Sequence, residues 1–381
     1  MVRFFDVIVI GVGSMGSSTC YFLAQRGHRV LGIEQFDIPH ELGSHAGQSR
    51  IIRMAYAEHP DYVPLLIRAY ENWKALEDQT GSQVFFKTGL MYFGKPTDPM
   101  IKGIHASATK YRIAVNPLSE QETIRKYPQF NVPSGYERLE EPNAGFVTPE
   151  RCILLFTEQA LRHGATILTN TTVRQWQRDG ETITVTTDRG DFACRKLVLT
   201  AGPWSGKVLP TLASRLTVTR QVVAWVTPKD WDAFALGRFP CWLADQFYGF
   251  PILPVGTFGG PIGLKVARHV PGVPSDPDHL DRTPSAADER ELVEALLAFL
   301  PDGYATTHAM KICMYTNTPD EHFIVDFLPG FDQDVAVAAG FSGHGFKFSS
   351  AVGEIMADLA MNGRTPFPIG FLSARRFDSR L

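Results

Sequence analysis

The stretch FDVIVIGVGSMG, which begins at Phe5, constrains the fold more than any other feature of this chain. Its first half is a continuous apolar, β-rich run, typical of a strand buried on both faces of a parallel sheet. The run leads into Gly11, Gly13 and Gly16. Their G-x-G-x-x-G spacing predicts a tight turn, close approach of the backbone to a pyrophosphate, and close packing of the next helix. A glycine-rich strand-to-helix connection without a ligand is the alternative.

The residues that follow continue a strand, helix, strand unit. We expect a helix from Ser14 to Arg26, ended by Gly27, and a second buried strand in HRVLGIE. Glu34 ends that strand, 23 residues after Gly11, where an acidic side chain accepts hydrogen bonds from an adenosine ribose. With these parts in register the sequence predicts dinucleotide binding, and it does not distinguish NAD from FAD.

The rest of the chain lacks the further βα units that complete an NAD domain. Asp61 is expected to cap an amphipathic helix in YVPLLIRAYENWKALE, and short alternating strands follow it. Nucleotide-type segments return in the middle, where KLVLTAG ends in Ala201 and Gly202, small residues that a cofactor could approach. They return again near the C-terminus, where the strand DVAVAAG precedes a glycine-rich turn and a helix stopped by NGR. This order predicts an α/β protein with a discontinuous cofactor domain (residues 1–85, 148–212 and 320–381) and a substrate domain (86–147 and 213–319).

Composition and charge exclude several classes of protein. A net charge of -3 with 20% charged residues leaves no basic surplus for a phosphate backbone, so nucleic acid is not an expected partner. No apolar run reaches the roughly 18 residues of a membrane span, and the N-terminus lacks a cleavage-site pattern, so we expect a cytoplasmic protein. The five cysteines are widely spaced, without CxxC or zinc-like His/Cys pairs. A disulfide framework and a metal site are both disfavoured.

Six motifs, in the same order and over nearly the whole chain, resemble those of the monomeric sarcosine oxidase and N-methyltryptophan oxidase family: GVGSMG, GSHAGQSRIIRMAY, YGFP, GLKVARH, CMYTNTPDEHFIVD and GFSGHGFKFSS. The resemblance implies a monomeric, FAD-dependent oxidase of N-methyl or other secondary amino acids that converts dioxygen to hydrogen peroxide. It also implies a Rossmann-like FAD-binding domain of the p-hydroxybenzoate hydroxylase type beside a mixed β-sheet substrate domain.

The flavin of that family is held covalently by a cysteine thioether, and the matching residue here is Cys313 in KICMYTN. From the residues alone, a lone cysteine is better interpreted as a buried small hydrophobe. Nothing in the local sequence distinguishes Cys313 from the other four cysteines. The assignment of Cys313 therefore rests on the resemblance.

The resemblance also assigns roles within GSHAGQSRIIRMAY. It implies that Ser44, His45 and Arg50 lie in the flavin environment, with Arg50 against the ring, and that Arg53 grips the substrate carboxylate. A guanidinium fork suits a carboxylate bidentately, and a cation near the ring favours the negative charge that accumulates on reduction. The alternatives are surface arginines in ion pairs and, for His45, an ordinary loop residue.

Lys347 stands in the first turn of the predicted C-terminal helix, where the helix dipole disfavours a cation. Broken local rules tend to mark functional sites, and the resemblance makes Lys347 the second contact of the carboxylate. The turn before it contains Gly343, His344 and Gly345, whose backbone amides are suited to stabilise an anionic flavin. The alternative for Lys347 is a side chain that snorkels from the surface.

Lys265 lies in the apolar strand context GGPIGLKVARH, where a buried lysine is costly unless it has a task. The resemblance implies that Lys265 promotes the reaction of dioxygen next to the flavin, and that Tyr248 and His269 line the pocket near the amine. In an alternating strand Lys265 and His269 point to the same face. An exposed edge strand is the alternative.

The sequence departs from the family pattern around the expected pocket. Ala46 stands where relatives often have a second histidine, and Met54 replaces another histidine. Gln48 and Ser49 replace a common Asp-Thr pair, so the identity of the substrate stays open. An FAD-dependent dehydrogenase with another electron acceptor and a non-catalytic FAD-binding subunit are the competing functions. A serine hydrolase is disfavoured because His344 stands where G-x-S-x-G needs its last glycine.

Overall fold

The structure is a computed structural model that describes residues 2–269 and 272–380. The first ten strands are β1 (Arg3–Ile10), β2 (Val30–Ile33), β3 (Arg50–Ile52), β4 (Phe85–Phe86), β5 (Leu90–Gly94), β6 (Asn116–Pro117), β7 (Glu137–Glu141), β8 (Gly145–Val147), β9 (Thr166–Leu168) and β10 (Val173–Asp179). The next are β11 (Thr182–Thr187), β12 (Gly190–Leu199), β13 (Thr217–Thr227), β14 (Cys241–Ala244), β15 (Phe247–Phe250), β16 (Leu264–Arg268), β17 (Val273–Pro274), β18 (Thr306–Asn317), β19 (Ile324–Phe327) and β20 (Val335–Ala339). The helices are α1 (Ser14–Gln25), α2 (Val63–Thr80), α3 (Pro99–Tyr111), α4 (Glu120–Lys126), α5 (Pro149–Arg162), α6 (Ser205–Val208), α7 (Val255–Phe258), α8 (Ala286–Phe299) and α9 (Ser349–Asn362).

The first sheet contains the dinucleotide-type strands in the order β10-β11-β12-β1-β2-β9, with β20 beside β12 and β19 beside β20. β12 links its two parts, because its first half pairs antiparallel with β11 and its last residues pair parallel with β20. β1 pairs parallel with β12 and with β2. Val7 and Val9 join one hydrophobic cluster, and Ile8 and Ile10 join another. Both faces of β1 are therefore covered, as its continuous apolar run predicts.

The second sheet is mixed and runs β17-β13-β16-β15-β14-β5-β7-β6, with β18 also paired to β13. Its neighbouring strands pair antiparallel except β14 and β5, which are parallel. A small antiparallel sheet of β3, β8 and β4 completes the strand pairing. The predicted fold class, α/β with a second, mixed sheet, is confirmed.

Two predicted helix ends are close to those in the structure. The helix after the glycine motif, α1, ends at Gln25, one residue before the predicted Arg26, and Gly27 follows with a φ of 84°. α9 ends at NGR, with Gly363 in the left-handed conformation that favours glycine. Within the described residues, none of the helices has the length and hydropathy needed to cross a membrane.

The cap predicted at Asp61 is wrong. α2 begins at Val63, after a short 3-10 turn, Pro60–Tyr62. In that turn the amide of Asp61 donates a hydrogen bond to the side chain of His59. The Asp61 carboxylate pairs instead with Lys110, with 2.7 Å between oxygen and nitrogen. An ion pair with a neighbouring helix thus replaces the local cap.

Candidate active site

A cavity of about 950 Å³ lies at the carboxyl ends of the parallel strands of the first sheet. Its wall includes residues that directly follow four of these strands: Gly11 after β1, Glu34 after β2, Thr200 after β12 and Gly340 after β20. In open α/β sheets ligands bind outside the carboxyl ends of the strands. The cavity therefore lies where the G-x-G-x-x-G motif predicts a nucleotide, and Ala201 and Gly202 also line it.

The glycine motif shapes one end of this cavity. Gly11 has a φ of 90°, and a Cβ there would lie 2.5 Å from the carbonyl oxygen of Thr200. A Cβ on Gly16 would lie 1.8 Å from the carbonyl oxygen of Gly11, so the start of α1 packs on the loop only without a side chain. Gly13 lines the cavity, with the His45 ring 3.8 Å from where its Cβ would be.

Glu34 is held at the same end of the cavity. Its Oε2 accepts from the amide of Val12 at 2.8 Å, and its Oε1 accepts from the amide of Phe36 at 3.1 Å. Burial raises the pKa of this carboxyl, and the amide bonds oppose the rise. The carboxylate is therefore oriented by the backbone at the edge of the cavity.

The segment 44–50 folds around the side chain of Arg50. The guanidinium donates to the carbonyl oxygens of Ser44 at 3.1 Å, Ala46 at 2.5 Å and Ser49 at 2.9 Å. These bonds replace the surface ion pair that was the alternative for Arg50. Ser44, His45 and Arg50 all line the cavity.

His45 is buried, and burial lowers the pKa of its imidazole to about 4, so the ring is neutral at pH 7. Within the described residues its Nε2 has no hydrogen-bond partner. A buried polar atom without a partner costs about 1–3 kcal/mol. A polar group of a ligand in the cavity would therefore be stabilised here.

Arg53 and Lys347 come together at the other end of the cavity, and each is only 6% exposed. The Tyr56 ring contacts both, with the Arg53 Cζ 4.8 Å and the Lys347 Nζ 5.1 Å from its centre. Lys347 donates to the carbonyl oxygen of His344 at 2.6 Å. Both carboxylate oxygens of Glu58 lie 2.8 Å from Nη2 of Arg53. This end thus combines two cations with one carboxylate.

Burial and neighbouring charges shift the pKa values of Lys347 and Glu58 at this end of the cavity. Burial, followed by the charge of Arg53, lowers the pKa of Lys347 to about 7. Burial opposes ionisation of Glu58, but Arg53 and its cationic neighbours outweigh it and lower the pKa of that carboxyl to about 2. Lys347 lies in a 3-10 turn, Phe346–Phe348, directly before α9 rather than in its first turn. Its burial excludes the surface alternative.

Tyr248 and His269 line the same end of the cavity, with their ring centres 6.4 Å apart. His269 Nδ1 lies 3.4 Å from the hydroxyl of Tyr315. Burial lowers the pKa of His269 to about 4, so this imidazole is also neutral at pH 7. The adjoining wall is formed by one turn that contains Gly343, His344 and Gly345.

Lys265 is 2% exposed and lies behind the described wall of the cavity. Cys313 does not line the cavity itself, but it directly precedes Met314 and Tyr315 of β18, which do. Lys265 is buried, and its Nζ donates to the carbonyl oxygens of Gly47 and Ser49 and to the Ser49 hydroxyl. Burial and the charge of Arg50 lower its pKa well below the ordinary value. Burial raises the pKa of the Cys313 thiol, and Arg50 and Lys265 oppose the rise. Lys265 is buried in β16, which lies between β13 and β15, so the alternative that it belongs to an exposed edge strand is wrong.

Sequence reasoning missed three residues at the cationic end. Tyr56 and Glu58 lie in the same stretch as Arg53, and an acid five residues after a candidate carboxylate-binding arginine was a usable signal. Glu141 is fully buried and accepts from the amide of Met54 and the hydroxyl of Tyr92, at 2.6 Å in each case. No local pattern marks Glu141.

The described residues fit FAD. One cavity joins the glycine motif and Glu34 to Arg53 and Lys347, and the partnerless Nε2 of His45 lies along its wall. A dinucleotide needs an acceptor at the ribose and room for the pyrophosphate beside side-chain-free backbone, and both are present. The described part of the chain contains no group of three or more side chains arranged to hold a metal ion.

The chain matches the family model of FAD dependent oxidoreductases over residues 6–359. It is 37% identical over 385 residues to the monomeric sarcosine oxidase of Bacillus sp. (strain NS-129), covering 99% of this chain and 98% of that protein. It is 34% identical over 380 residues to the N-methyl-L-tryptophan oxidase of Yersinia pestis (strain Pestoides F), covering 98% and 99%. Among solved structures, NikD, an unusual amino acid oxidase essential for nikkomycin biosynthesis, has a TM-score of 0.84 and 25% identity, covering 98% of each chain.

These matches agree with the geometry of the cavity. The family model spans both sheets, and the two relatives match over nearly their full length. The chain is thus an FAD-dependent oxidoreductase, and it belongs to the FAD dependent oxidoreductase family alongside the monomeric sarcosine oxidases and N-methyl-L-tryptophan oxidases.

Proposed function

We propose that this chain is an oxidase of secondary amino acids, of the N-methyl or cyclic kind, and that it converts dioxygen to hydrogen peroxide. The observation that carries the proposal is the pair of buried cations, Arg53 and Lys347, at the end of the cavity opposite the glycine motif. A buried cation is costly unless it is paired, and among the described residues Glu58 pairs with Arg53 while no carboxylate pairs with Lys347. A substrate carboxylate would supply that missing partner. The two relatives named above, one an oxidase of sarcosine and one of N-methyl-L-tryptophan, agree with this class of substrate.

Bound FAD would accept a hydride equivalent from the C–H bond next to the substrate nitrogen and pass two electrons on to dioxygen. Arg53 and Lys347 hold the carboxylate, which fixes the position of the neighbouring C–H and N–H bonds. Both cations contact the Tyr56 ring. Burial lowers the pKa of His269 and of His344 well below 7, so both imidazoles in this part of the wall are neutral at pH 7.

The cofactor contacts form a second part of the proposal. Gly11, Gly13 and Gly16 would admit the pyrophosphate, Glu34 would accept from the ribose, and Ala201 and Gly202 would border the dinucleotide. Ser44, His45, Arg50 and the turn from Gly343 to Gly345 would surround the ring system. The support is that these residues, Gly16 excepted, line one cavity.

Cys313 would hold the flavin covalently, and Lys265 would favour the reaction with dioxygen. Their support is their common neighbour Arg50, whose charge acts on both. The positive charge of Arg50, or of Lys265 when it is protonated, would stabilise the negative charge that dioxygen gains on its first reduction step. Tyr248 would border the amine from the same side.

The assignment of cofactor binding to the ranges of the first sheet and of substrate binding to those of the second is also a proposal. Residues 1–85, 148–212 and 320–381 would bind the cofactor, since all strands of the first sheet come from these ranges. Residues 86–147 and 213–319 would bind the substrate, since all strands of the second sheet come from these. The monomeric state and the cytoplasmic location stay predictions.

The test is an anaerobic titration of the purified holoprotein, followed through its visible absorption. Sarcosine, N-methyltryptophan, pipecolate and proline are added in turn, and air is then admitted while hydrogen peroxide is measured. Bleaching by one of these amines and one peroxide per bleached flavin would support the proposal. Bleaching without peroxide would favour a dehydrogenase. No bleaching by any secondary amine would favour a non-catalytic FAD-binding subunit.

A further inference from the structure

Glu58 is the one acidic side chain in the described wall at the cationic end of the cavity. Its two oxygens both contact Nη2 of Arg53, each at 2.8 Å. Its side chain is 21% exposed, against 7% for Arg53, and both side chains line the cavity. Lys347, His269 and His344 are the other titratable groups that act on it. A carboxylate thus already lies where a substrate carboxylate is expected.

The hydrogen bonds of Arg53 leave part of its guanidinium available. Glu58 occupies Nη2, and Nη1 donates to the carbonyl oxygen of Ala55 at 3.3 Å. Within the described residues no acceptor faces the Nε–H. A guanidinium has five N–H donors. Arg53 therefore keeps donors for a ligand carboxylate while Glu58 stays in place, and Lys347 lines the same cavity.

With Glu58 ionised and Lys347 protonated, the two cations and one anion that line this end of the cavity leave a single net positive charge. Glu141, whose charge also acts on Arg53, lies outside the described wall. A ligand with one carboxylate neutralises that charge. A second carboxylate would meet Glu58 at short range in a partly buried site, where like charges repel strongly. Removal of Glu58 would turn this repulsion into attraction, because a second unpaired cation would then be present.

We propose that Glu58 is a specificity-determining residue that restricts the site to substrates with one carboxylate by opposing a second negative charge. The inference rests on the proposed function, since it takes the carboxylate-binding role of Arg53 and Lys347 from there. It specifies that the substrate carries a single carboxylate, which the two cations alone would not determine.

The experiment compares two ligands of nearly equal shape, malonate with two carboxylates and malonamate with one. Their dissociation constants for the holoprotein are measured by titration calorimetry at low ionic strength and pH 6.5, where Lys347 is mostly protonated. We expect the native protein to prefer malonamate. In Glu58→Gln the ratio of the two constants should shift toward malonate by about 10- to 100-fold, the effect of one charge pair at a partly buried site.

Two variants control for other effects. Glu58→Asp keeps the charge and should keep the native preference. Glu354→Gln removes a carboxylate from an arginine pair with similar contact distances, 2.7 and 2.8 Å to Arg68, outside the described cavity wall. It should leave the ratio unchanged.

The outcomes separate this inference from the proposed function. Equal tightening of both ligands in Glu58→Gln would overturn the inference, because Glu58 would then only compete for Arg53. Failure of malonamate to bind the native protein would overturn the carboxylate site itself. If no amine bleaches the flavin and the ratio still shifts, the proposed oxidation fails while the charge selection by Glu58 stands.

Discussion

The hydroxyl of Tyr56 donates a hydrogen bond to Nδ1 of His344. The direction follows from the other side of the ring, where Nε2 of His344 lies 3.0 Å from the carbonyl oxygen of Glu321, which can only accept. Burial lowers the pKa of His344 to about 3, so the ring is neutral and its single proton is on Nε2. Tyr56 therefore joins the glycine-rich turn to the two cations that lie over its ring.

Tyr56→Phe should lower the free energy of unfolding by about 1–3 kcal/mol, because a buried Nδ1 would lose its donor. The ring that contacts Arg53 and Lys347 remains, so affinity for a carboxylate ligand should change little. Urea denaturation of the holoprotein measures the first effect and calorimetry the second. Tyr304→Phe is the control, since its hydroxyl is 3.5 Å from Glu289. An unchanged urea midpoint in Tyr56→Phe would contradict the assigned proton position.

Carboxylate affinity should fall as pH rises through 7. Burial and Arg53 lower the pKa of Lys347 to about 7, so the free protein loses this charge above that pH. A bound carboxylate favours the protonated form, and binding above pH 7 should therefore take up a proton. Calorimetry with acetate from pH 6 to 9, in two buffers of different ionisation heat, measures both. Lys347→Met should bind weakly with no such pH dependence, and a flat native profile would refute the assignment.

Cys313→Ala should release the flavin on acid precipitation, whereas the native protein should keep its yellow colour in the pellet. The reason is the proposed thioether, which acid does not break. Cys241→Ser is the matched control, because Cys241 is also buried and its Sγ accepts from Thr88 at 3.3 Å, away from the cavity wall. Colour in the native supernatant would show that the cofactor is not covalently held.

Lys265→Met should slow the recovery of flavin absorption in air by about 100-fold, the usual effect of removing one preorganised charge. Anaerobic bleaching by the amine should keep its rate, since Lys265 lies behind the cavity wall. Stopped-flow absorption separates the two half-reactions. Lys87→Met, which removes an exposed lysine paired with Asn143, is the control. Equal slowing of both half-reactions would argue for a structural role.

Gly16→Ala should prevent stable folding or lower the free energy of unfolding by about 3 kcal/mol or more, because its Cβ would lie 1.8 Å from the carbonyl oxygen of Gly11. Gly27→Ala tests the contrast. Gly27 has a φ of 84° but no atom within 4 Å of its Cβ position among the described residues, so it should cost only about 1–2 kcal/mol. Urea midpoints and retained flavin absorption compare the two variants. Equal losses would mean that close packing at Gly16 is not required.

The strand, helix, strand unit around Gly11 is predictable from sequence because each of its signals is local. The apolar run of β1, the glycine spacing and the acid at Glu34 all lie within one short stretch. The end of α9 at Gly363 is predictable for the same reason, since a left-handed glycine ends a helix regardless of its surroundings.

The contacts at the cationic end join residues that are far apart in the sequence, so local helix and strand propensities do not reveal them. Asp61 has the right side chain for a cap but pairs with Lys110, which only the docking of α3 brings near. Glu141 reaches the backbone after Arg53 from the end of β7. Burial does not single out Cys313 either, because all five cysteines are buried. The roles of the candidate site residues therefore stay predictions that the variants above test.

The pairing of β12 has a consequence for biosynthesis. The central strand β1 leaves the ribosome early, yet one of its two sheet neighbours, β12, begins only at Gly190, and β12 in turn pairs with β20 from Val335. A nascent chain therefore exposes an unpaired parallel edge during most of its synthesis, the kind of edge that recruits chaperones or aggregates. The edge of the sheet that borders the cavity is complete only once β20 has paired with β12, so we expect FAD to bind only after β20 has been made.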